Sequence, residues 1–271
     1  ERNYVQIVTL TDRLDYVSSM INNQAYCLGV EKLLGVEAPP RAKYLRTLSA
    51  ELQRIASHLM AIGFLLQDLG ALGTPLMYCF RSRERILDLF EMLCGARVTV
   101  SYSRPGGVFF DAPEEFWPAL DSFMKMFRSE FREIEQLILE NEIVMVRTRG
   151  VSVLPLDVAV NSSVSGPVLR ASGLAWDWRK MDPYDAYDQV EFDVPVGAAG
   201  DNYDRFWVRM QEVHQSARII EQCVRQIEPG PIRTVLPMML RPEPGTEAYR
   251  RVEASKGELA FYLVSDCGVS P

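Results

Sequence analysis

Leu45, Leu48, Leu52, Ile55, Leu59, Ile62 and Leu66 fall at alternating steps of three and four, the spacing of one face of an α-helix. Pro39-Pro40 stands just before them and puts proline in the first turn, where its missing N–H is no loss. From Leu59 to Leu66 the pattern becomes apolar on every side, which predicts burial all round. A helix of this kind must be enclosed by other elements, so the chain is expected to fold as a helical assembly built around it. At the end of the apolar run stands Asp68, in an Asp-Leu-Gly-Ala turn. A carboxylate there is costly to desolvate unless it has a partner or a task.

Further helices follow from the same spacing. Residues 11–34 read as a helix carrying Leu14, Val17, Ile21, Ala25 and Leu28, ended by Gly35. Another is expected over 75–95, with Arg81, Arg83 and Arg85 interleaved with Glu84 and Asp88 as i,i+4 pairs on a solvated face. Phe116, Leu120, Phe123, Phe127, Phe131, Ile134 and Ile138 mark a fourth, read as a packed core helix. Asp201 can cap a fifth, striped by Tyr203, Phe206, Met210, Val213, Ala217, Ile220, Val224 and Ile227 and stopped by Pro229-Gly-Pro231. Residues 142–160 and 186–197 read as extended, and Glu258–Val264 as a last strand. The expected class is mainly α with a smaller β part. Residues 1–140 form a helical core, and 141–271 a mixed α/β remainder whose long helix, 201–228, packs on the same core.

Composition narrows the function. The 271 residues carry a net charge of −7, which argues against nucleic-acid binding. No apolar run approaches the roughly 20 residues of a membrane span, so a membrane link is expected only through partners. The five cysteines include no C-x-x-C pair, and there are only two histidines, His58 and His214. That leaves no zinc or iron–sulfur signature and no disulfide framework; free thiols are the expected state.

The ordered motifs resemble a known family. They are Asp12-Arg-Leu-Asp-Tyr16, Val30-Glu-Lys-Leu-Leu-Gly35, Pro39-Pro-Arg-Ala42, Arg54-Ile-Ala-Ser-His-Leu59, Asp68-Leu-Gly-Ala71 and Arg104-Pro-Gly-Gly107. Leu169-Arg-Ala-Ser-Gly173, Tyr184–Gly197 and Lys256–Asp266 continue the series. Together they are similar to the quinone-binding catalytic subunit of respiratory complex I, the D or 49-kDa type, whose fold is shared with nickel–iron hydrogenase large subunits. The wording of 184–197 looks closest to mitochondrial members. The resemblance implies an NADH:ubiquinone reductase that works as one subunit of a proton-translocating complex. Ubiquinone would be its substrate, and the 4Fe-4S cluster would sit on a partner.

On the matching positions, the resemblance assigns Tyr16 to the quinone headgroup and Asp68 to proton delivery. It assigns Met60 and Phe64 to the pocket wall, and Arg13, Arg104 and Thr99 to the neighbourhood of the partner's cluster. A phenol suits the first role, because it donates a hydrogen bond to a carbonyl oxygen and keeps its proton near neutral pH. Thr99 stands where the family carries a histidine. The implied partners are the cluster-bearing B-type subunit, the C or 30-kDa-type subunit and the membrane quinone-channel subunit. The implied location is the matrix side of the mitochondrial inner membrane or the cytoplasmic side of a bacterial plasma membrane. The resemblance also implies family segments before and after this chain, among them a histidine that pairs with the acid at Asp68. A helical insertion expected between about 231 and 245 is shortened to a proline-rich link. Two rivals share the fold. A hydrogenase would need metal-binding cysteines where this chain has Asp15 and Ser18; a non-catalytic scaffold would lack the pocket.

Overall fold

A computed structural model describes residues 2–70, 74–139, 141–237, 239–266 and 268–270. The elements run α1 (Tyr4–Thr11), α2 (Ser19–Leu34), α3 (Pro40–Asp68), α4 (Thr74–Cys94), β1 (Ser103–Arg104), β2 (Gly107–Val108), α5 (Phe116–Leu139), α6 (Glu142–Thr148), α7 (Leu156–Asn161), α8 (Gly166–Ala171), α9 (Trp178–Met181), α10 (Asn202–Gln226), β3 (Glu247–Ala254) and β4 (Gly257–Val264). The class is mainly α with small sheets, as the periodicity predicts. Each strand pair is a two-stranded antiparallel hairpin; in the first, Gly107 also bridges Arg233, and in the second, Glu247 lies opposite Val264 and Ala254 opposite Gly257.

Helix α3 is the axis. It packs on α4 along one side and α10 along another, with α2 across a third; α5 backs α4, and the β3–β4 hairpin lies on α2. One apolar core runs from α2 through α3, α4 and α5 to α10. A smaller one lies between α1, α2 and the hairpin, around Tyr4, Tyr26, Val30 and Leu263. The caps are local. Asn3 and Gln6 form a capping box on α1, Gly35 ends α2 at φ 66°, and the Asp201 carboxylate accepts from the Asp204 N–H to open α10.

The structure departs from the sequence reading at several places. The helix expected over 11–34 begins only at Ser19, as α2; α1 lies before it, and residues 12–17 form a turn between the two. The stretch 142–160 holds two short helices, α6 and α7, rather than extended chain. Their β-branched residues set the wrong period, while the Asn141 side chain caps α6 by accepting from two backbone N–H groups. Residues 190–194 alternate inward and outward as expected but join no sheet. Glutamines of α10 take the place of a partner strand: Gln222 Oε1 accepts from Glu191 N at 2.9 Å and Gln215 Oε1 from Asp193 N at 3.0 Å. Strand β3, rich in charge, is an element the sequence reading did not anticipate. Among the described residues the arginines of α4 make no i,i+4 pairs; Arg81 and Arg85 reach across to Glu130 of α5, at 3.6 and 2.6 Å. The 59–66 stretch is not buried all round: Phe64 is 45% exposed and Leu65 42% exposed. Four described cysteines, Cys27, Cys79, Cys94 and Cys223, are free; Cys267 lies outside the described residues. Burial pushes the Cys79 thiol up to about 12.

Candidate functional site

The turn 12–18 between α1 and α2 is held from behind. Asp12 is buried; it accepts from Asn23 Nδ2 at 2.8 Å and from Ser101 N at 3.3 Å. Burial pushes its carboxyl up, opposed by these hydrogen bonds and by Arg13 and Arg104. Asp15 accepts from Lys256 Nζ at 2.9 Å. Behind the turn, Ser18 Oγ lies 2.5 Å from Ser255 Oγ, which in turn donates to Ser57 Oγ of α3 at 3.0 Å. With the backbone pinned in this way, the turn presents its remaining side chains outward. Tyr16 is 66% exposed, and Leu14 and Arg13 also face solvent.

The segment 98–108 runs alongside this turn. Ser19 Oγ donates to Val98 O at 2.8 Å, and Thr99 is exposed next to that contact. Arg104 is half-buried at the β1–β2 turn. It donates to the Ser101 and Ser103 carbonyls and lies 4.5 Å over the Phe109 ring. Burial lowers its guanidinium pKa. Gly107 takes φ 154°, and a Cβ there would lie 2.1 Å from Ile232 O, so the hairpin needs glycine to meet the proline-rich link. Arg46 of α3 fixes the same hairpin from inside, donating to Arg104 O at 2.7 Å and Gly107 O at 2.9 Å while paired with Glu31 and, at 3.3 Å, Asp185. Arg13, Thr99 and Arg104 thus lie on two adjoining strips, and both arginines act on Asp12.

The third part is the far end of α3. A groove of about 390 Å³ is lined by Ala61, Ile62, Phe64, Leu65 and Asp68 of α3 and by Asn202, Arg205, Phe206 and Arg209 of α10. Phe64 meets Phe80 of α4 edge-on at 5.6 Å. Asp68 is the last residue of α3 and is exposed, as is Met77 at 70%. The structure therefore brings Phe64 and Asp68 into one groove. Met60 is half-buried one turn before Phe64, outside the lining, and Tyr16 stands on its own turn, also outside it.

The sequence reading missed a buried charge cluster between α3, α10 and the second hairpin. Glu51 takes Arg179 at 3.1 Å, Arg54 at 3.4 Å, the Tyr187 hydroxyl at 2.5 Å and the Ser216 hydroxyl at 2.6 Å. Arg179 also holds Asp177 at 2.6 Å. Arg170 joins Glu212 at 2.8 Å, Glu253 at 2.9 Å and Asp177 at 3.7 Å. His58 Nε2 lies 2.7 Å from Glu212 Oε2. The guanidiniums hold the Glu51, Asp177 and Glu212 carboxyls low against burial. Glu51, Arg54 and His58 share one face of α3 by spacing. Among the described residues no three His, Cys, Asp or Glu side chains converge as metal ligands, and no helix is long and apolar enough to cross a membrane.

Comparison with known proteins matches this architecture to one family. A family profile described as the respiratory-chain NADH dehydrogenase 49 Kd subunit covers residues 68–243. The D-type NADH-quinone oxidoreductase subunit of Dehalococcoides mccartyi is 53% identical over 98% of this chain and 72% of its own length. A D-type subunit of the same oxidoreductase from a Roseiflexus species is 51% identical over 99% of the chain and 74% of its own length. The D-type subunit of Desulforamulus reducens is 47% identical over the whole chain and 73% of its own length.

Proposed function

The chain belongs to the 49-kDa subunit family of the respiratory-chain NADH dehydrogenase, and on that premise we propose that it walls the site where the complex reduces its quinone. Its place is that of a subunit of NADH:quinone oxidoreductase, complex I. The observation that carries the pocket reading is the tip of α3, where the exposed apolar side chains Phe64 and Leu65 line one groove together with Asp68. Exposed apolar surface of this kind calls for a partner or a ligand.

In this reading Tyr16 donates a hydrogen bond to one quinone carbonyl oxygen, and Asp68 relays a proton to the reduced ring. Met60 and Phe64 supply the apolar wall. Quinone reduction takes two electrons and two protons. The electrons come from a 4Fe-4S cluster held by a B-type partner, and this chain supplies the proton-handling groups. Arg13 and Arg104, both beside Asp12, put positive charge toward that cluster and favour its reduced form; Thr99 lies on the same strip. The C-type subunit and the membrane quinone-channel subunit complete the enclosure, with ubiquinone as the acceptor. Residues 1–140 carry the quinone-site motifs, and 141–271 brace them. The relatives cited are bacterial, which favours the cytoplasmic side of a bacterial plasma membrane over the mitochondrial location.

The hydrogenase alternative meets a specific obstacle. Asp15 and Ser18, at the positions where cysteines would be needed, are engaged by Lys256 and Ser255. The test of the pocket reading is a pair of variants in the assembled complex. Tyr16→Phe removes a hydrogen bond worth on the order of 1 kcal/mol in headgroup binding, and more in rate if the phenol is the proton donor. Asp68→Asn removes the relay. Both should depress quinone reduction while NADH oxidation by an artificial acceptor continues. Unchanged quinone reduction in both would remove these residues from the site.

A further inference from the structure

Along α3 and α10 the groove lies one turn from the buried charge cluster. On α3 the groove is lined by Ala61, Ile62 and Leu65, which lie three, four and seven residues beyond His58. On α10 it is lined by Asn202, Arg205 and Arg209, and Glu212 lies three residues beyond Arg209. Helical periodicity puts His58 and Glu212 on the same two faces, one turn deeper. They meet at 2.7 Å, and both side chains are almost fully buried.

The cluster holds four carboxylates, Glu51, Asp177, Glu212 and Glu253, paired with three guanidiniums, Arg54, Arg170 and Arg179. Arg209, whose guanidinium acts on Glu212 from the groove side, is the fourth positive group, so the count closes with His58 neutral. A ligand anion that draws on Arg209 leaves the carboxylates one positive charge short, and His58 is the member that can supply it. The groups facing His58 are Glu212 and Arg209 from α10 and Arg54 from its own helix. Arg209 lies between Glu212 and the groove and makes no ion pair among the described residues.

We propose that His58 is a positioning residue for proton delivery: when negative charge builds on the quinone in the groove, its imidazole takes up one proton, held as an ion pair on Glu212. The inference rests on the quinone reading above. With the groove empty, burial lowers the His58 pKa, and the imidazole is neutral. A quinone anion beside Arg205 and Arg209 offsets the positive charge that Arg209 turns toward His58, and the imidazolium becomes favourable. The proton comes from solvent and passes along the groove, by way of water and Asp68, to a quinol oxygen. One of the two protons of the two-electron reduction takes this route, and His58 ends each cycle neutral.

The experiment is the pH profile of quinone reduction by the assembled complex, with His58→Gln, Glu212→Gln and Asp68→Asn compared with the unaltered protein. The unaltered enzyme should lose rate on the alkaline side as His58 ceases to be protonated. His58→Gln should turn over about tenfold more slowly and lack that alkaline limb. Glu212→Gln keeps the shape but removes the anion, so its limb should move to lower pH. If either variant assembles and keeps the limb where the unaltered enzyme has it, the proposal is overturned. Failure of both variants to assemble, with NADH oxidation lost as well, assigns the pair to packing and also overturns it. Asp68→Asn separates the two levels. If it leaves quinone reduction intact, the site itself is misplaced. If it abolishes reduction while the His58 and Glu212 variants keep the original limb, only the His58 inference fails.

Discussion

Within α3, residues 46–58 and residues 60–68 reverse the usual distribution of side chains. The first stretch buries Arg46, Glu51, Arg54 and His58, while the second leaves Phe64 and Leu65 open. The middle of the helix is walled by α2, α4, α10 and the β3–β4 hairpin. Every charge there is matched by an ion pair or a backbone carbonyl, as where Arg54 donates to Ala254 O at 3.0 Å and Glu253 O at 2.6 Å. At the tip only α4 and the start of α10 remain, and they leave a groove. A buried ion network holds distant segments in a single arrangement, since any shift strands a charge. An open apolar tip adds little to the fold and is free to serve a ligand or a partner.

The largest expected effect is at the middle. Arg46→Ala strands Glu31 and Asp185 and frees the 104–107 turn, at a cost of about 3–5 kcal/mol. Thermal unfolding should show it, and a small shift would mean that the network is idle. Next is Gly63→Leu at the α3–α4 contact. A Cβ there already lies 3.0 Å from a Leu76 methyl and 3.2 Å from Cys79 Cβ, so a larger side chain must wedge the helices apart. Overpacking of this kind costs about 1–3 kcal/mol, and denaturant titration reads it.

Acid should erode the middle in two stages. His58 has its pKa lowered from the ordinary 6.5, so the folded state binds fewer protons than the unfolded chain. Its contribution is present above that value and lost as pH falls through the folded pKa. Glu51 and Glu212, lowered from 4.5, behave in the same sense at lower pH. Unfolding free energy measured against pH should therefore begin to fall below about 6.5, and His58→Gln should remove that first stage alone. Phe64→Ala should change the stability of the free chain by no more than about 0.5 kcal/mol, because the ring is half exposed. It should nevertheless raise the KM for quinone, and an unchanged KM would take Phe64 out of the wall.

The smallest effect expected is a null slope. Thr99 does not ionise near neutrality, so it cannot couple a proton to the partner's cluster as a histidine would. The potential of that cluster should be nearly independent of pH between about 6 and 8, as followed by redox titration with electron paramagnetic resonance. A clear negative slope would place the proton on another group.

Local rules settled much of this protein in advance. The three-and-four spacing of 45–66, the prolines at 39–40, Gly35 and the Asp201 cap fixed the long helices, because such signals act within a turn or two of backbone. The ordered motifs carried the family and the candidate residues Tyr16 and Asp68. The sequence misled where a distant partner decides the outcome. Residues 190–194 look like a strand but take their hydrogen bonds from glutamine side chains of α10. Glu51, Arg54 and His58 share one face of α3, and Arg170, Arg179 and Glu212 arrive from residues more than a hundred positions away and make its burial possible. Burial of a charge is decided by its counter-charge in space, and that is a property of the tertiary structure alone.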